Sequence, residues 1–197
     1  MKINQRYKTW GYWRDEWVKP ILVALILALF IRTFIAQPFK IPTSSMVPTF
    51  VPGDRIFVNK FIYGARVPFT GIALPRLRKP VRGDIIVFRS PIEPNKFLVK
   101  RLVGLPGDTL EIKENRLWIN GSLLEKPLIF RKVVYYNRGP YGKKGEAIKI
   151  PPGYYFALGD NSLNSIDSRY WGFVPAKNLA GKVFLIHWPV KRIRFMK

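Results

Sequence analysis

Cysteine is absent from this chain of 197 residues, which excludes a disulfide framework, a thiol nucleophile and Cys-ligated zinc or iron–sulfur centres. Histidine occurs once, at His187, too few imidazoles for the usual zinc sites. Acidic residues are scarce: twelve Asp and Glu stand against 34 Lys and Arg, a formal charge of +22. If the chain is an enzyme, its chemistry must come from hydroxyls, carboxylates or amines. So basic a protein ordinarily meets nucleic acid, an anionic membrane surface or an acidic partner.

What is abundant is apolar. Hydrophobic residues make up 48% of the chain and aromatics 15%, enough for a packed core and too much for wholesale disorder. Ile21 to Ile31 is an unbroken run of eleven apolar residues. Its length alone suits a signal-peptide h-region. Cleavage after Ala36, however, would put bulky Phe34 where a small residue is required. Counted from Trp17 to Ala36 the segment gives about 30 Å of helix, provided Lys19 and Arg32 snorkel to the interfaces. Trp10, Tyr12, Trp13 and Trp17 stand where an aromatic belt would lie. An uncleaved single span over 20–36 is therefore expected. Lys2, Arg6, Lys8, Arg14 and Lys19 precede it, whereas only Arg32, Lys40 and Arg55 follow closely. That bias places tail 1–19 in the cytoplasm and residues 37–197 outside a plasma (inner) membrane.

The outer part holds 28 basic and 10 acidic residues, a balance of +18. Its apolar segments are short and rich in Val, Ile and Phe: Arg55–Val58, Asp84–Phe88, Phe97–Val103, Thr109–Ile112, Leu117–Ile119, Tyr154–Leu158 and Lys182–Trp188. Gly and Pro punctuate them and no 3.6-residue period is sustained, so a mainly β domain is predicted. Four of its acids sit in Gly-Asp dipeptides, at Asp54, Asp84, Asp108 and Asp160, and read as turns. Lys60–Arg82 suggests a long hairpin or irregular loop. Leu123–Ile150 is a strongly basic surface excursion. Its Tyr135, Tyr136 and Tyr141 lie among Lys and Arg, a pattern shared with single-strand nucleic-acid binders, but a solvated or lipid-facing loop is the commoner meaning. Anionic membrane lipids are the expected partner here, and no nucleic acid.

Two segments carry candidate chemistry. In Ile41–Asp54, Pro42 and Pro48 bar a helix and hold Ser45 on a short loop between strands. Taken alone, the segment also fits a Ser-rich connector. In Phe97–Asp108, Lys100 sits amid apolar residues, where a lysine must reach water or lose its charge. A hydroxyl nucleophile needs a base. With no histidine near a Ser–Asp arrangement, a desolvated lysine can serve. His187 reads as a structural strand residue, and Tyr170 and Trp171 as packing.

Four boxes, in order, resemble those of bacterial type I signal peptidases (leader peptidases). They are Ser45-Met46-Val47-Pro48-Thr49 with Gly53-Asp54; Arg82-Gly83-Asp84 running to Phe88; Val99-Lys100-Arg101 with Gly104 to Asp108; and Gly159-Asp160-Asn161 with Ser165 to Gly172. The resemblance implies a membrane-bound serine endopeptidase with a mainly antiparallel fold containing a β-barrel, needing no metal and no cofactor. Its substrates would be preprotein signal peptides, cut after small residues of Ala-X-Ala type. Ser45 would be the nucleophile and Lys100 the neutral general base, with the Ser45 N–H and Thr43 hydroxyl as oxyanion hole. Ser165 would orient the Lys100 amine, Asp167 would pair with Arg169, and Asp160 would be a second brace. Phe39, Ile41, Met46, Leu98 and Val99 would line shallow apolar subsites. Ser162-Leu163 departs from the more polar, often basic pair common in the family, and Thr43 stands where Ser or Gly is more usual. A self-cleaving regulatory protease with the same dyad would need a DNA-binding helix-turn-helix. A non-catalytic, membrane-tethered β-module would leave Ser45 and Lys100 without purpose.

Overall fold

The computed structural model describes residues 14–30, 37–64 and 75–196. A π-helical turn, Arg14–Val18, leads into helix α1, Lys19–Phe30. Ile21, Leu22, Val23, Leu25, Ile26, Leu27 and Leu29 are each more than half exposed. No helix among the described residues is long and apolar enough to cross a membrane. Twelve residues of α1 rise about 18 Å, short of the roughly 30 Å of a hydrocarbon core. The expected span continues through residues 31–36, which lie outside the described residues, as does most of the 1–19 tail.

The rest is mainly β. In chain order the strands are β1 (Gln37–Lys40), β2 (Arg55–Asn59), β3 (Ile85–Arg89), β4 (Phe97–Gly104), β5 (Thr109–Lys113), β6 (Arg116–Ile119), β7 (Ser122–Leu123), β8 (Ile148–Lys149), β9 (Tyr154–Leu158), β10 (Val174–Pro175), β11 (Leu179–Trp188) and β12 (Arg194–Phe195). The larger sheet runs β1-β2-β11-β3-β4-β9-β10, with β12 also on β11; the smaller runs β7-β6-β5-β8. Every pairing is antiparallel. The barrel implied by the resemblance is corrected in one respect: among the described strands, β1 and β10 do not pair, and the sheet's hydrogen-bonded order stays open. All seven apolar segments picked out above are strands. The overlooked β1 contains Pro38, which an edge strand tolerates because its N–H need not join a ladder.

Alternation sets the cores. On β3, Ile85 and Val87 pack with Ile41, Met46, Phe50, Ile56, Val58, Val183 and Ile186, while Ile86 and Phe88 join Leu102, Tyr155, Ala157 and Val174 on the other face. A third cluster lies under the smaller sheet and takes Phe130, Val133 and Tyr135 from the basic excursion. Lys126, Arg131, Lys132, Arg138, Lys143 and Lys144 of that segment remain exposed.

Three of the four Gly-Asp dipeptides are the turns expected. Gly53, Gly83 and Gly107 have φ of +96°, +92° and +88°, the left-handed region that favours glycine. The following carboxylates accept the N–H three residues back: Val51 to Asp54 at 3.0 Å, Val81 to Asp84 at 3.0 Å and Leu105 to Asp108 at 2.7 Å. Each carboxylate also pairs with an arginine, Arg192, Arg78 and Arg82 in turn. Gly159-Asp160 does something else, and it lies at the centre of the molecule's chemistry.

Candidate active site

The loop between β1 and β2 turns tightly through Thr43–Pro52 and buries Met46 and Phe50 beneath it. Ser45 stands on this loop, buried. Lys100 lies mid-strand on β4, in register with Ile86, and is 4% exposed. Its Nζ meets Ser45 Oγ at 2.6 Å, joining residues 55 positions apart in sequence. The Thr43 hydroxyl is 3.3 Å from the same Oγ. Burial pushes the Lys100 amine down to about 8; Asp167 and Asp160 oppose the shift, and Arg169 adds to it. A nearly dry serine hydroxyl thus touches an amine whose neutral form is accessible near neutrality.

Two buried ion pairs flank this contact. Asp160 receives Arg101 Nε at 2.8 Å and its Nη2 at 2.7 Å, a bidentate fork, and also accepts from the Thr49 hydroxyl. Arg101 Nη1 donates to the Gly83 carbonyl at 2.8 Å. Asp167 precedes helix α3, Ser168–Trp171 (α2 being Ile129–Lys132), and receives Arg169 Nε at 2.9 Å and Nη2 at 2.8 Å. It also accepts the Gly159 N–H at 3.0 Å. No left-handed φ explains Gly159. Its role is space: a β-carbon there would collide with the Ser165 hydroxyl and the Ser45 carbonyl.

The structure brings Ser45, Lys100 and Thr43 into contact and sets Asp160, Asp167 and Arg169 around them. Ser165 is buried, but among the described residues its Oγ has no hydrogen-bond partner, so the expected bond to the Lys100 amine is not made. Of the anticipated subsite residues, Ile41, Met46, Phe39 and Val99 share one apolar cluster. Leu98 does not. Strand alternation sets it on the other face from Val99, the face that Lys100 shares, where it packs beside Ile86 and Phe88.

Several participants escaped the sequence reading. Asn161 donates its N–H to the Ser45 carbonyl at 3.0 Å and its Nδ2 to the Ser44 carbonyl at 3.1 Å, pinning the Ser45 loop from behind. Thr49 and Arg101 were inside the quoted boxes without a role. Ser162, noted only as a departure, hydrogen-bonds Arg169. His187 stacks on Phe57 with centroids 4.2 Å apart, away from this chemistry.

A buried hydroxyl held against a buried amine, on an antiparallel scaffold, is the equipment of a hydrolase, and the comparisons place the chain among the peptidases. Residues 14–188 match the family model described as "Signal peptidase, peptidase S26". The chain belongs to that family, the bacterial type I signal peptidases of the resemblance above. It is 39% identical to Signal peptidase I of Pseudomonas aeruginosa, over 88% of this chain and 73% of that protein. Signal peptidase I P of Bacillus subtilis subsp. natto is 37% identical over 92% of this chain and 93% of its own. A crystal structure of a signal peptidase I from Enterococcus faecalis is similar at 36% identity with a TM-score of 0.44, over 53% of this chain and 97% of that one.

Proposed function

We propose that this chain removes signal peptides from exported preproteins, with Ser45 as nucleophile and Lys100 as neutral general base. The observation that carries the reading is the 2.6 Å contact between Ser45 Oγ and the buried Lys100 Nζ. The neutral amine takes the Ser45 proton as the oxygen attacks the scissile carbonyl carbon, then gives it to the departing amine. Water, deprotonated by the same lysine, hydrolyses the acyl-ester and frees Ser45. The Ser45 N–H and the Thr43 hydroxyl receive the oxyanion. Asp167–Arg169 and Arg101–Asp160 brace the surrounding backbone. Phe39, Ile41, Met46 and Val99 supply shallow apolar subsites suited to small side chains of Ala-X-Ala type. The all-round apolar exposure of α1, with the basic residues before it, supports a membrane anchor whose catalytic domain faces outward over anionic lipid.

The test is cleavage of a preprotein at its Ala-X-Ala site by purified protein. Wild type is expected to cleave and Ser45→Ala to be inert; cleavage by the alanine variant rejects the assignment. Thr43→Val tests the oxyanion hole, because it keeps the shape and removes the donor. Loss of one such donor lowers kcat by about 10²–10³-fold with little change in KM. A wild-type kcat in Thr43→Val would reduce Thr43 to a loop residue.

A further inference from the structure

Ser162 has a place in the architecture that the mechanism above leaves unused. Ser162 opens a short 3₁₀ turn, Ser162–Asn164, and is buried. Its hydroxyl oxygen accepts Arg169 Nη1 at 2.6 Å and the Tyr136 N–H at 2.9 Å, which occupies both lone pairs. Its carbonyl accepts Arg169 Nη2 at 2.9 Å.

Arg169 is completely buried, and a guanidinium has five N–H donors to satisfy. Nε and one Nη2 proton go to Asp167; the other Nη2 proton goes to the Ser162 carbonyl. One Nη1 proton reaches the Tyr136 carbonyl at 2.8 Å and the last reaches the Ser162 hydroxyl. No donor is left over, and Ser162 accepts two of the five. The basic excursion closes over the same group. Tyr141 donates its N–H to the Arg169 carbonyl at 2.8 Å, and a β-carbon at Gly139 would collide with that carbonyl.

Beyond Arg169 the connections run to the nucleophile. Asp167, gripped by the guanidinium, accepts the Gly159 N–H, and Gly159 lies against the Ser45 carbonyl. Two residues on, the Asn161 N–H holds that carbonyl. We propose that Ser162 is a positioning residue for the Ser45–Lys100 pair, locking Arg169 onto Asp167 and thereby fixing the backbone that seats Ser45. The inference rests on the dyad reading and adds to it a residue outside the dyad.

The charged groups acting on Lys100 give a readout that scaffolding alone would not move. Asp167 and Asp160 favour its ammonium form and Arg169 disfavours it. A guanidinium loosened by loss of the Ser162 hydroxyl opposes the ammonium less, so the acid limb of activity should move to higher pH. The experiment measures kcat and KM against pH for the full chain on a preprotein, in wild type, Ser162→Ala and Ser162→Thr, with circular dichroism. Ser162→Ala is expected to lose about tenfold in kcat with KM little changed, as misplacement of reacting groups produces. Its acid limb should shift upward, and Ser162→Thr, which keeps the hydroxyl, should restore both. Wild-type kcat and pH profile in Ser162→Ala overturn the inference, and so does a lowered melting temperature with both unchanged. If Ser162→Ala does not fold, Ser162→Cys, of the same shape with a weaker acceptor, is read the same way. Ser45→Ala runs alongside: residual activity there rejects the dyad, whereas an inert Ser45→Ala beside an unaltered Ser162→Ala rejects this inference alone.

Discussion

Lys100→Arg is expected to lose about 10⁴-fold or more in kcat/KM, although the positive charge is kept. Guanidinium cannot release its proton at usable pH, so it cannot take one from Ser45. Lys100→Met, similar in volume, should be equally inactive. In wild type, kcat/KM should rise with pH through about 8, where burial holds the Lys100 amine. The same displacement has a consequence for stability. The folded-state value lies below the ordinary 10.5, so the buried ammonium destabilises the fold at pH below about 8, by roughly 3 kcal/mol at most. That penalty fades as pH rises from 8 and is gone above 10.5. Lys100→Met should therefore unfold at higher denaturant concentration than wild type at pH 7, with the gap closing through the alkaline range. Substantial cleavage by Lys100→Arg would remove Lys100 from the base role. A pH-independent stability gap would show that its ammonium is not penalised by burial.

Asp167→Ala should be the most destabilising change near the site. It leaves the Arg169 guanidinium completely buried without its counter-charge and strips the Gly159 N–H of its acceptor. Breaking a buried pair by removing one partner costs about 3–5 kcal/mol. Asp167→Asn separates the charge from the packing. It keeps the shape and one acceptor oxygen, but removes the carboxylate that does most to favour the Lys100 ammonium. The acid limb of kcat/KM should then move to lower pH, opposite to the shift expected for Ser162→Ala. Chemical denaturation and a pH–rate profile check both. An Asp167→Ala variant as stable as wild type would mean that the guanidinium finds water, and an unmoved limb in Asp167→Asn would mean that Asp167 does not act on Lys100.

Short-range pattern made the strands legible, because Val, Ile and Phe runs between Gly and Pro leave few alternatives. It could not show β1, whose four residues include a proline, or the two-residue strands, which are too short to have a period. Ser45 and Lys100 were legible for different reasons: one as a serine between prolines, the other as a charge in an apolar strand. Their contact was not, since nothing local relates residues 55 apart. The same holds for Arg101–Asp160, which spans 59 positions, and for Asn161 beneath the Ser45 loop. Leu98 and Val99 part company for a reason that is legible in the sequence. They are neighbours on one strand, and a period of two sets Leu98 on the face of Lys100 and Val99 on the other. Gly159 was misread for a subtler reason: glycine permits unusual torsions and also permits close approach, and a sequence does not say which is needed.

The hydrogen bonds from Asn161 to the carbonyls of Ser44 and Ser45 tie the chemistry to the order of synthesis. A growing polypeptide presents Ser45 and Lys100 early, but the residues that hold the Ser45 loop and place charge around the amine come some sixty positions after the lysine. Until that last third is made and docked, the serine loop lacks its rear support and the lysine lacks all three charged groups, Asp160, Asp167 and Arg169, that act on its amine. A chain truncated before Gly159 is therefore expected to show no peptidase activity, because it lacks the groups that hold the Ser45 loop.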